Sequence, residues 1–180
     1  SVELLFYKQQ RNIVIYDSET EDVRTALQAA KNAEVTAVIA SDMAVIGMAR
    51  QMGIEVHIST QLNVSNFEAL KFYSQFADVV VLARELTLPQ VKEISRRIKE
   101  EKICGPGGKL VRLEMFVHGA LCMSISGKCY LSLDEYGASA NRGSCYQLCR
   151  RGYKVSDLET GREFNIENKY IMSPKDLCTI

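Results

Sequence analysis

Residues 35–59 read VTAVIASDMAVIGMARQMGIEVHIS, in which two short apolar segments flank an amphipathic stretch. The first segment, 35–40, and the last, 54–59, are rich in Val, Ile and Ala, which favours strands buried on both faces. Between them, Asp42 stands where a helix N-cap is expected and Gly53 where the helix should stop. A short hairpin joins antiparallel strands, whereas parallel strands need a longer crossover, usually a helix. Two neighbouring strands joined through a helix are therefore expected to be parallel. The segment therefore predicts one β-α-β unit.

The same alternation of strands and helices extends in both directions along the chain. Strands are predicted at 13–16, 35–40, 54–59, 78–83 and 110–117, with helices starting near Ser18, Asp42, Asn66 and Leu88. A complete (β/α)₈ barrel needs about 250 residues. We therefore predict an α/β fold in which residues 1–118 form a partial (β/α) TIM-type barrel with parallel strands. Residues 119–180 follow as a Cys-rich irregular/β extension, with a hairpin at 152–166.

Composition excludes several classes of protein. The chain has 180 residues, 47% of them hydrophobic, and 22 Lys and Arg balance 22 Asp and Glu. A sequence with this balance lacks the broad positive surface of a protein that coats nucleic acid. No stretch reaches the roughly 18 apolar residues of a membrane span, and the first residues lack the order of a signal peptide. We expect a cytoplasmic chain without a membrane segment.

The six cysteines are unevenly distributed, because none occurs before Cys104. The other five are Cys122, Cys129, Cys145, Cys149 and Cys178. Thiolates are soft ligands that suit zinc or an iron–sulfur cluster. Only Cys145 and Cys149 have the short spacing common in structural zinc sites. Spacing favours bound metal or a cluster first, and leaves buried reduced cysteines and disulfides as alternatives.

A local basic segment interrupts the neutral composition. Its cations are Arg142, Arg150, Arg151 and Lys154, and Tyr146 and Tyr153 lie among them. Cations interleaved with aromatic rings are typical of single-stranded RNA recognition. The alternative is a solvated loop face whose arginines offset the charge of a thiolate cluster.

Ligands of parallel β/α proteins bind at the carboxyl ends of the strands. Arg84 is the main candidate there, because a planar guanidinium pairs with a carboxylate through two hydrogen bonds. Gln61 and His118 are the other candidates at these ends. The structural alternatives are an ion pair of Arg84 with Glu85, a helix-start role for Gln61 and a structural role for His118. The residues identify no general base.

Two segments carry a resemblance to a known family. Residues 114–122, EMFVHGALC, and 126–132, SGKCYLS, closely match the signature of peptidase family U32, which therefore spans 114–132. Residues 141–153, NRGSCYQLCRRGY, and 172–178, MSPKDLC, are similar to the same family. The LAPAG-like motif of the family's amino-terminal strand is not found in this sequence. We therefore expect a part of a longer barrel.

The resemblance implies RNA-base hydroxylation that depends on an iron–sulfur cluster, of the 4Fe–4S type. The bases would be tRNA wobble uridine or rRNA cytidine, and a small carboxylate such as prephenate would be the donor. The implied ligands are Cys122, Cys129, Cys145 and Cys178, with Cys149 as the alternative ligand and zinc as the alternative metal. A homo- or hetero-oligomer is compatible with the sequence.

Two other functions stay open. The family name implies a collagenase-like peptidase, yet the sequence has neither a G-x-S-x-G nor an H-E-x-x-H motif. A nucleophilic dyad would have to pair Cys122 with His118, since the only other histidine is His57. The second alternative is a non-catalytic, metal-stabilised subunit.

Overall fold

The structure is a computed structural model that describes residues 14–120, 122, 124–125, 128–166 and 176–178, with Ala120 and the last three by backbone alone. It divides into two compact units, Ser1–Met115 and Phe116–Ile180. The first holds helices α1 (Thr20–Asn32), α2 (Met43–Gln51), α3 (Phe67–Tyr73) and α4 (Leu88–Glu100), and strands β1 (Ala37–Ala40), β2 (Glu55–Ile58), β3 (Val79–Val81) and β4 (Arg112–Glu114). The second holds β5 (His118–Ala120), α5 (Leu131–Tyr136), β6 (Tyr153–Ser156), β7 (Glu163–Ile166) and β8 (Asp176–Cys178).

Strands β1 to β4 form one parallel sheet in which their order follows the chain. Val38 of β1 lies opposite Val56 of β2, and Ile58 lies opposite Val80 of β3. A helix separates each strand from the next, as a parallel connection requires. The sequence prediction of parallel β/α units is confirmed, and the arrangement is consistent with part of a (β/α) barrel.

The helices of the first unit begin and end at residues whose side chains or conformations explain those bounds. Asp42 Oδ1 accepts a hydrogen bond from the Ala44 amide at 2.8 Å, and Asn66 Oδ1 accepts one from the Ala69 amide at 2.9 Å. Both side chains thus pair amides that lack a partner in the first helical turn. Gly53 follows α2 with a φ of 73°, a left-handed conformation that glycine adopts without steric cost. The predicted starts of α2 and α3 are confirmed.

One face of the sheet packs against the helices and forms the apolar core. Its fully buried side chains include Leu27, Val38, Ile46, Val56, Ile58, Leu70, Val80 and Leu82. The side chains between them point to the opposite face, because successive residues of a strand alternate. That face is polar in part: His57 Nε2 lies 3.1 Å from Glu55 Oε1, and the same carboxylate pairs with Arg112.

The predicted first strand is wrong in its described part, residues 14–16. The Ile15 amide donates a hydrogen bond to Asp42 Oδ2 at 3.2 Å, and the Tyr16 amide donates one to Glu19 Oε2 at 3.0 Å. Because both amides donate to carboxylate oxygens, they do not form hydrogen bonds with a neighbouring strand. A short 3₁₀ turn, Asp17–Glu19, follows, and α1 begins at Thr20. Residue 13 lies outside the described residues.

The predicted strand at 110–117 is shorter than expected. Only Arg112–Glu114 pairs with β3, while His118–Ala120 pairs antiparallel with β8 in a separate sheet. Arg112 and Glu114 are exposed, so this strand is not buried on both faces. A polar side chain at every second position gives an exposed face rather than a doubly covered strand.

The predicted hairpin at 152–166 is confirmed. Strands β6 and β7 pair antiparallel, with Tyr153 opposite Ile166. Asp157 Oδ1 closes the connection by accepting hydrogen bonds from the amides of Glu159 at 2.9 Å and Thr160 at 3.0 Å. Gly161 then adopts a φ of 69°. An Asp at the first position and a left-handed Gly are typical of such turns.

Within the described residues, no helix is long and apolar enough to cross a membrane.

Candidate functional site

Polar side chains gather where β1 and β2 end. Ser41 directly follows β1 and is almost fully buried. Its hydroxyl donates a hydrogen bond to Gln61 Oε1 at 3.2 Å. The backbone amide of Gln61 in turn donates a hydrogen bond to Ser59 Oγ at 3.4 Å. The Gln61 side chain is therefore oriented by the end of the neighbouring strand, while its backbone lies in the short 3₁₀ turn that Ser59 caps.

The turn after β2 is anchored to the end of β3. The short 3₁₀ turn Thr60–Leu62 carries Gln61, and the Thr60 hydroxyl donates to the Leu82 carbonyl oxygen at 3.2 Å. Asn63 closes the turn in the left-handed conformation, with a φ of 53°. Val64 and Leu82 then form an isolated parallel bridge. These contacts hold the turn at the carboxyl edge of the sheet, where the sequence places the substrate site.

Arg84 lies at the same edge, two residues after Leu82 on the segment that leaves β3. The Ala83 amide before it donates to the Val64 carbonyl oxygen at 2.9 Å, which ties this segment to the turn after β2. Arg84 is half-buried and Glu85 is exposed. A half-buried guanidinium at a strand end could bind a carboxylate. Thr87 and Gln90 form the capping box at the start of α4, and Glu85 takes no part in it.

The two histidines have different surroundings. His57 is buried in β2, with Glu55 as its described partner. His118 is exposed in β5, where its backbone is in register with Cys178. Within the described residues, neither imidazole is hydrogen-bonded to a Ser, Thr or Cys side chain.

Four cysteines of the second unit are described with their side chains. Cys122, Cys129 and Cys149 are half-buried, Cys145 is exposed, and all four are free thiols. Burial raises the pKa of the Cys149 thiol, and the charges of Cys122, Cys145 and Cys129 raise it further against the opposing effect of Arg150. The three other thiols therefore lie within electrostatic range of Cys149.

Two hydrogen bonds join the segments that carry these thiols. The Cys129 amide donates to Asn141 Oδ1 at 3.0 Å. The Tyr146 amide donates to Ser132 Oγ at 3.0 Å, and Ser132 is almost fully buried. Residues 129–132 are thus held against residues 141–146.

The thiols suit a soft metal by their chemistry, but they are not arranged as a finished metal site. Among the residues that the structure describes, no three His, Cys, Asp or Glu side chains are placed so as to hold a metal ion. Cys104, outside this group, is exposed in the turn before β4. The side chain of Cys178 lies outside the described residues, whereas its backbone pairs with β5. The donor set fits a thiolate-bound group only if the thiols move together on binding.

The basic segment is only partly available to a partner. Lys154 forms an ion pair with Glu163 at 2.9 Å, and the Tyr153 hydroxyl donates to the Leu148 carbonyl oxygen at 2.6 Å. Arg142 and Arg150 are half-buried, and Arg151 is exposed. Sequence reasoning grouped these residues by position and missed Tyr136, whose ring lies 5.2 Å from that of Tyr146 between centroids. In the sequence, the available signal was an aromatic residue ten positions before Tyr146.

A parallel β/α sheet with a polar carboxyl edge, followed by a unit rich in thiols, defines the class of this protein. The chain belongs to peptidase family U32, whose family model matches residues 10–180. This confirms the resemblance that the sequence motifs carry.

Named relatives of the chain fall into two groups. It is 60% identical to a collagenase of Porphyromonas gingivalis over 94% of this chain and 41% of that protein. It is 36% identical to the 23S rRNA 5-hydroxycytidine C2501 synthase of Escherichia coli over 92% of this chain and 23% of that protein. It is 31% identical to the tRNA hydroxylation protein P1 of Bacillus subtilis over 94% of this chain and 39% of that protein. The chain spans less than half the length of each of these relatives, and no solved structure matches it significantly.

Proposed function

We propose that the protein containing this chain takes part in hydroxylating a pyrimidine base of tRNA or rRNA, with an iron–sulfur cluster bound to its thiols. The structural observation that carries the proposal is the set of free thiols in the second unit, Cys122, Cys129, Cys145 and Cys149. Relatives named for rRNA and tRNA hydroxylation match nearly the whole chain, which supports RNA as the substrate class. The cytoplasm is the expected location, because tRNA and rRNA are modified there.

The proposed ligands are Cys122, Cys129, Cys145 and Cys178, with Cys149 as the alternative to one of them. A 4Fe–4S cluster is the expected group and zinc is the alternative. An iron–sulfur cluster supplies electron-transfer chemistry when bound. The hydrogen bond from the Cys129 amide to Asn141 holds one ligand segment in place before binding.

The carboxyl edge of the sheet is the proposed site for the small carboxylate donor. Arg84 would bind a carboxylate group, and Gln61 would orient the donor by hydrogen bonding. Ser41 already fixes the Gln61 side chain, which lowers the cost of ordering it. Prephenate, which carries two carboxylates, is the donor that we favour. His118 is a further candidate for a polar contact with substrate.

The basic segment is the proposed RNA contact. Arg142, Arg150, Arg151 and Lys154 would pair with phosphates. On binding, Lys154 would leave Glu163 and Arg150 would leave Gln147. Arginine at such positions binds phosphate through paired hydrogen bonds. The overall neutral charge of the chain implies that RNA binding depends on this local region.

The experiment is a deletion of the gene for the full-length protein, followed by mass spectrometry of nucleosides from separated tRNA and rRNA. We expect one hydroxylated pyrimidine nucleoside to disappear from one of the two RNA fractions. A plasmid copy should restore it, and so should the Cys104→Ser variant, whereas Cys129→Ser should not. Unchanged nucleosides in both fractions would refute the proposed function.

A peptidase is the second candidate, favoured by the 60% identity to a protein named collagenase. Cys122 is the candidate nucleophile because it lies four residues from His118, but no imidazole is bonded to a thiol within the described residues. The discriminating assay is cleavage of gelatin by full-length, cluster-free protein and by its Cys122→Ala variant. Cleavage by the first but not by the second would establish the peptidase and remove Cys122 from the ligand set.

A further inference from the structure

Two tyrosines of the second unit form an exposed aromatic pair. The rings of Tyr136 and Tyr146 are 5.2 Å apart between centroids and tilted by 48°. Tyr136 is 47% exposed and Tyr146 is 56% exposed, so both rings offer surface to solvent. Adjoining exposed apolar surface can mark an interaction site, and tyrosine is enriched at interfaces because its ring is apolar and its hydroxyl is polar.

The pair is held by backbone contacts and does not depend on the rings alone. Tyr136 is the last residue of α5, and Gly137 ends that helix with a φ of 63°. Ser132 of the same helix accepts a hydrogen bond from the Tyr146 amide at 3.0 Å. Since Ser132 is almost fully buried, this bond fixes the position of Tyr146 relative to α5. The backbone positions that carry the two rings are therefore held together before any partner binds.

A guanidinium completes the surface. Arg151 Nη1 donates a hydrogen bond to the Tyr136 hydroxyl at 2.6 Å, and its guanidinium carbon lies 5.3 Å from the centre of that ring. Arg151 stays cationic and is aligned with the ring, which is a cation–π arrangement.

The charges around the tyrosine pair favour a single unpaired nucleotide, which carries one phosphate, over the continuous phosphate backbone of a long duplex. Glu135 lies within electrostatic range of Arg151, and Asp134 is exposed on the same helix. Two carboxylates repel a continuous run of phosphates. The rings and one guanidinium suit the flat face of an unpaired nucleotide, because every base has a π-face on which a ring can stack.

We propose that Tyr136, Tyr146 and Arg151 form a stacking site for an unpaired nucleotide of the RNA substrate. The proposal rests on the proposed function, since it names the nucleic-acid contact of that activity. Tyr146 directly follows Cys145, so a nucleotide stacked here lies beside the thiol-bearing segment. Lys154 and Tyr153, which the sequence groups with the arginines, are engaged with Glu163 and Leu148 and are not part of the site.

The test measures binding of the full-length protein to a fluorescein-labelled 12-nucleotide single-stranded RNA and to the same strand in a duplex. We expect the single strand to bind more tightly than the duplex. Tyr146→Ala and Tyr136→Ala should each weaken single-strand binding by roughly 5- to 150-fold. Tyr146→Phe should bind like the unmodified protein, because the stacking face is kept. The matched control is Phe164→Ala, which removes an exposed aromatic residue of similar exposure, 54%, from β7 and should not change binding.

Salt dependence separates stacking from charge. Arg151→Ala should reduce the slope of log Kd against log salt by roughly 0.7, the value for one phosphate contact on a single strand. Tyr146→Ala should leave the slope unchanged. Circular dichroism of each variant shows whether it is folded, and Tyr146→Leu removes the ring with less change of volume if the alanine variant unfolds. Wild-type binding by both folded tyrosine variants would overturn the stacking site.

The outcomes also separate this site from the proposed function. If the gene deletion removes a hydroxylated nucleoside but the tyrosine variants bind RNA normally, only the stacking site fails. If the deletion changes no nucleoside and the full-length protein binds neither RNA, the proposed function fails and the stacking site with it.

Discussion

The backbone amide of Cys129 donates a hydrogen bond to Oδ1 of Asn141 at 3.0 Å, across twelve positions of the chain. This bond joins the loop before α5 to the basic segment. The side chain of Asn141, which is not among the proposed ligands, therefore holds the backbone of Cys129, which we propose as a cluster ligand.

Asn141→Ala should therefore weaken both folding and cluster retention. The variant leaves the half-buried Cys129 amide without its acceptor, which costs about 1 kcal/mol of unfolding free energy. We expect a lower melting temperature and less iron per chain in anaerobically purified full-length protein. Asn141→Asp keeps an acceptor oxygen, and Asn165→Ala removes an exposed amide from the hairpin, so both should retain iron. Full iron content in Asn141→Ala would show that the bond does not support the ligand.

Cys129→Ser should remove the absorbance near 400 nm that thiolate–iron charge transfer produces in anaerobically purified full-length protein. Cys104→Ser should retain it, because Cys104 is exposed, belongs to the first unit and is not among the proposed ligands. Iron, sulfide and zinc counts accompany the spectrum. One zinc per chain without iron would exclude the cluster. Iron counts of Cys149→Ser and Cys178→Ser then identify the fourth ligand.

Gly105→Ala should destabilise the first unit. A Cβ at this position would lie 2.8 Å from Asp78 Cα and 2.9 Å from the Ala77 carbonyl oxygen, which are backbone atoms that cannot turn away. We expect a loss of about 1–3 kcal/mol in urea unfolding. Gly47→Ala is the matched change, because Gly47 lies inside α2 with nothing within 4 Å of its added Cβ. It should stabilise the protein by about 0.5–1 kcal/mol. Equal effects of the two substitutions would contradict this packing.

Asn66→Ala should remove the N-cap of α3. The Ala69 amide would lose its acceptor at 2.9 Å, and such losses cost about 1 kcal/mol. Asn66→Ser should unfold at nearly the same urea concentration as the unmodified protein, because Ser also caps helices. An unchanged midpoint in Asn66→Ala would mean that the cap contributes nothing to stability.

Acid should loosen the hairpin turn at a pH below the ordinary range for Asp. Hydrogen bonds from the Thr160 amide and hydroxyl and from the Glu159 amide lower the pKa of Asp157. A lowered folded pKa means that the ionised carboxylate stabilises the turn above roughly pH 3.9, and that this contribution is lost as pH falls through the folded value. The amide NMR shifts of Glu159 and Thr160 should report a midpoint below 3.9. Asp157→Asn should abolish the transition, and a midpoint at or above 3.9 would refute the turn contacts.

Local sequence signals predicted much of the first unit correctly. The strands at 35–40, 54–59 and 78–83 and the caps Asp42 and Asn66 follow from apolar runs and from side chains that bond to amides within three residues. The segment 13–16 has the same apolar character, yet the Ile15 amide bonds to Asp42, 27 positions away. No local pattern reports a partner so distant.

In the candidate site too, the sequence predicted residue types and local positions but not the contacts between distant residues. The sequence identified the thiols and the arginines by type, and it predicted Arg84 and Gln61 at strand ends because parallel strands share one carboxyl edge. It could not show that Ser41 orients Gln61 or that Lys154 is paired with Glu163.

By itself, then, the sequence determined the parallel β/α order, the helix caps, the hairpin and the family. Each of these depends on residue type and short-range spacing. Only the tertiary structure decided which distant residues meet: the rings of Tyr136 and Tyr146, the Cys129 amide with the Asn141 side chain, and the Ile15 amide with the Asp42 side chain. Such contacts depend on the distances between segments that are far apart in the chain, which packing sets and spacing does not.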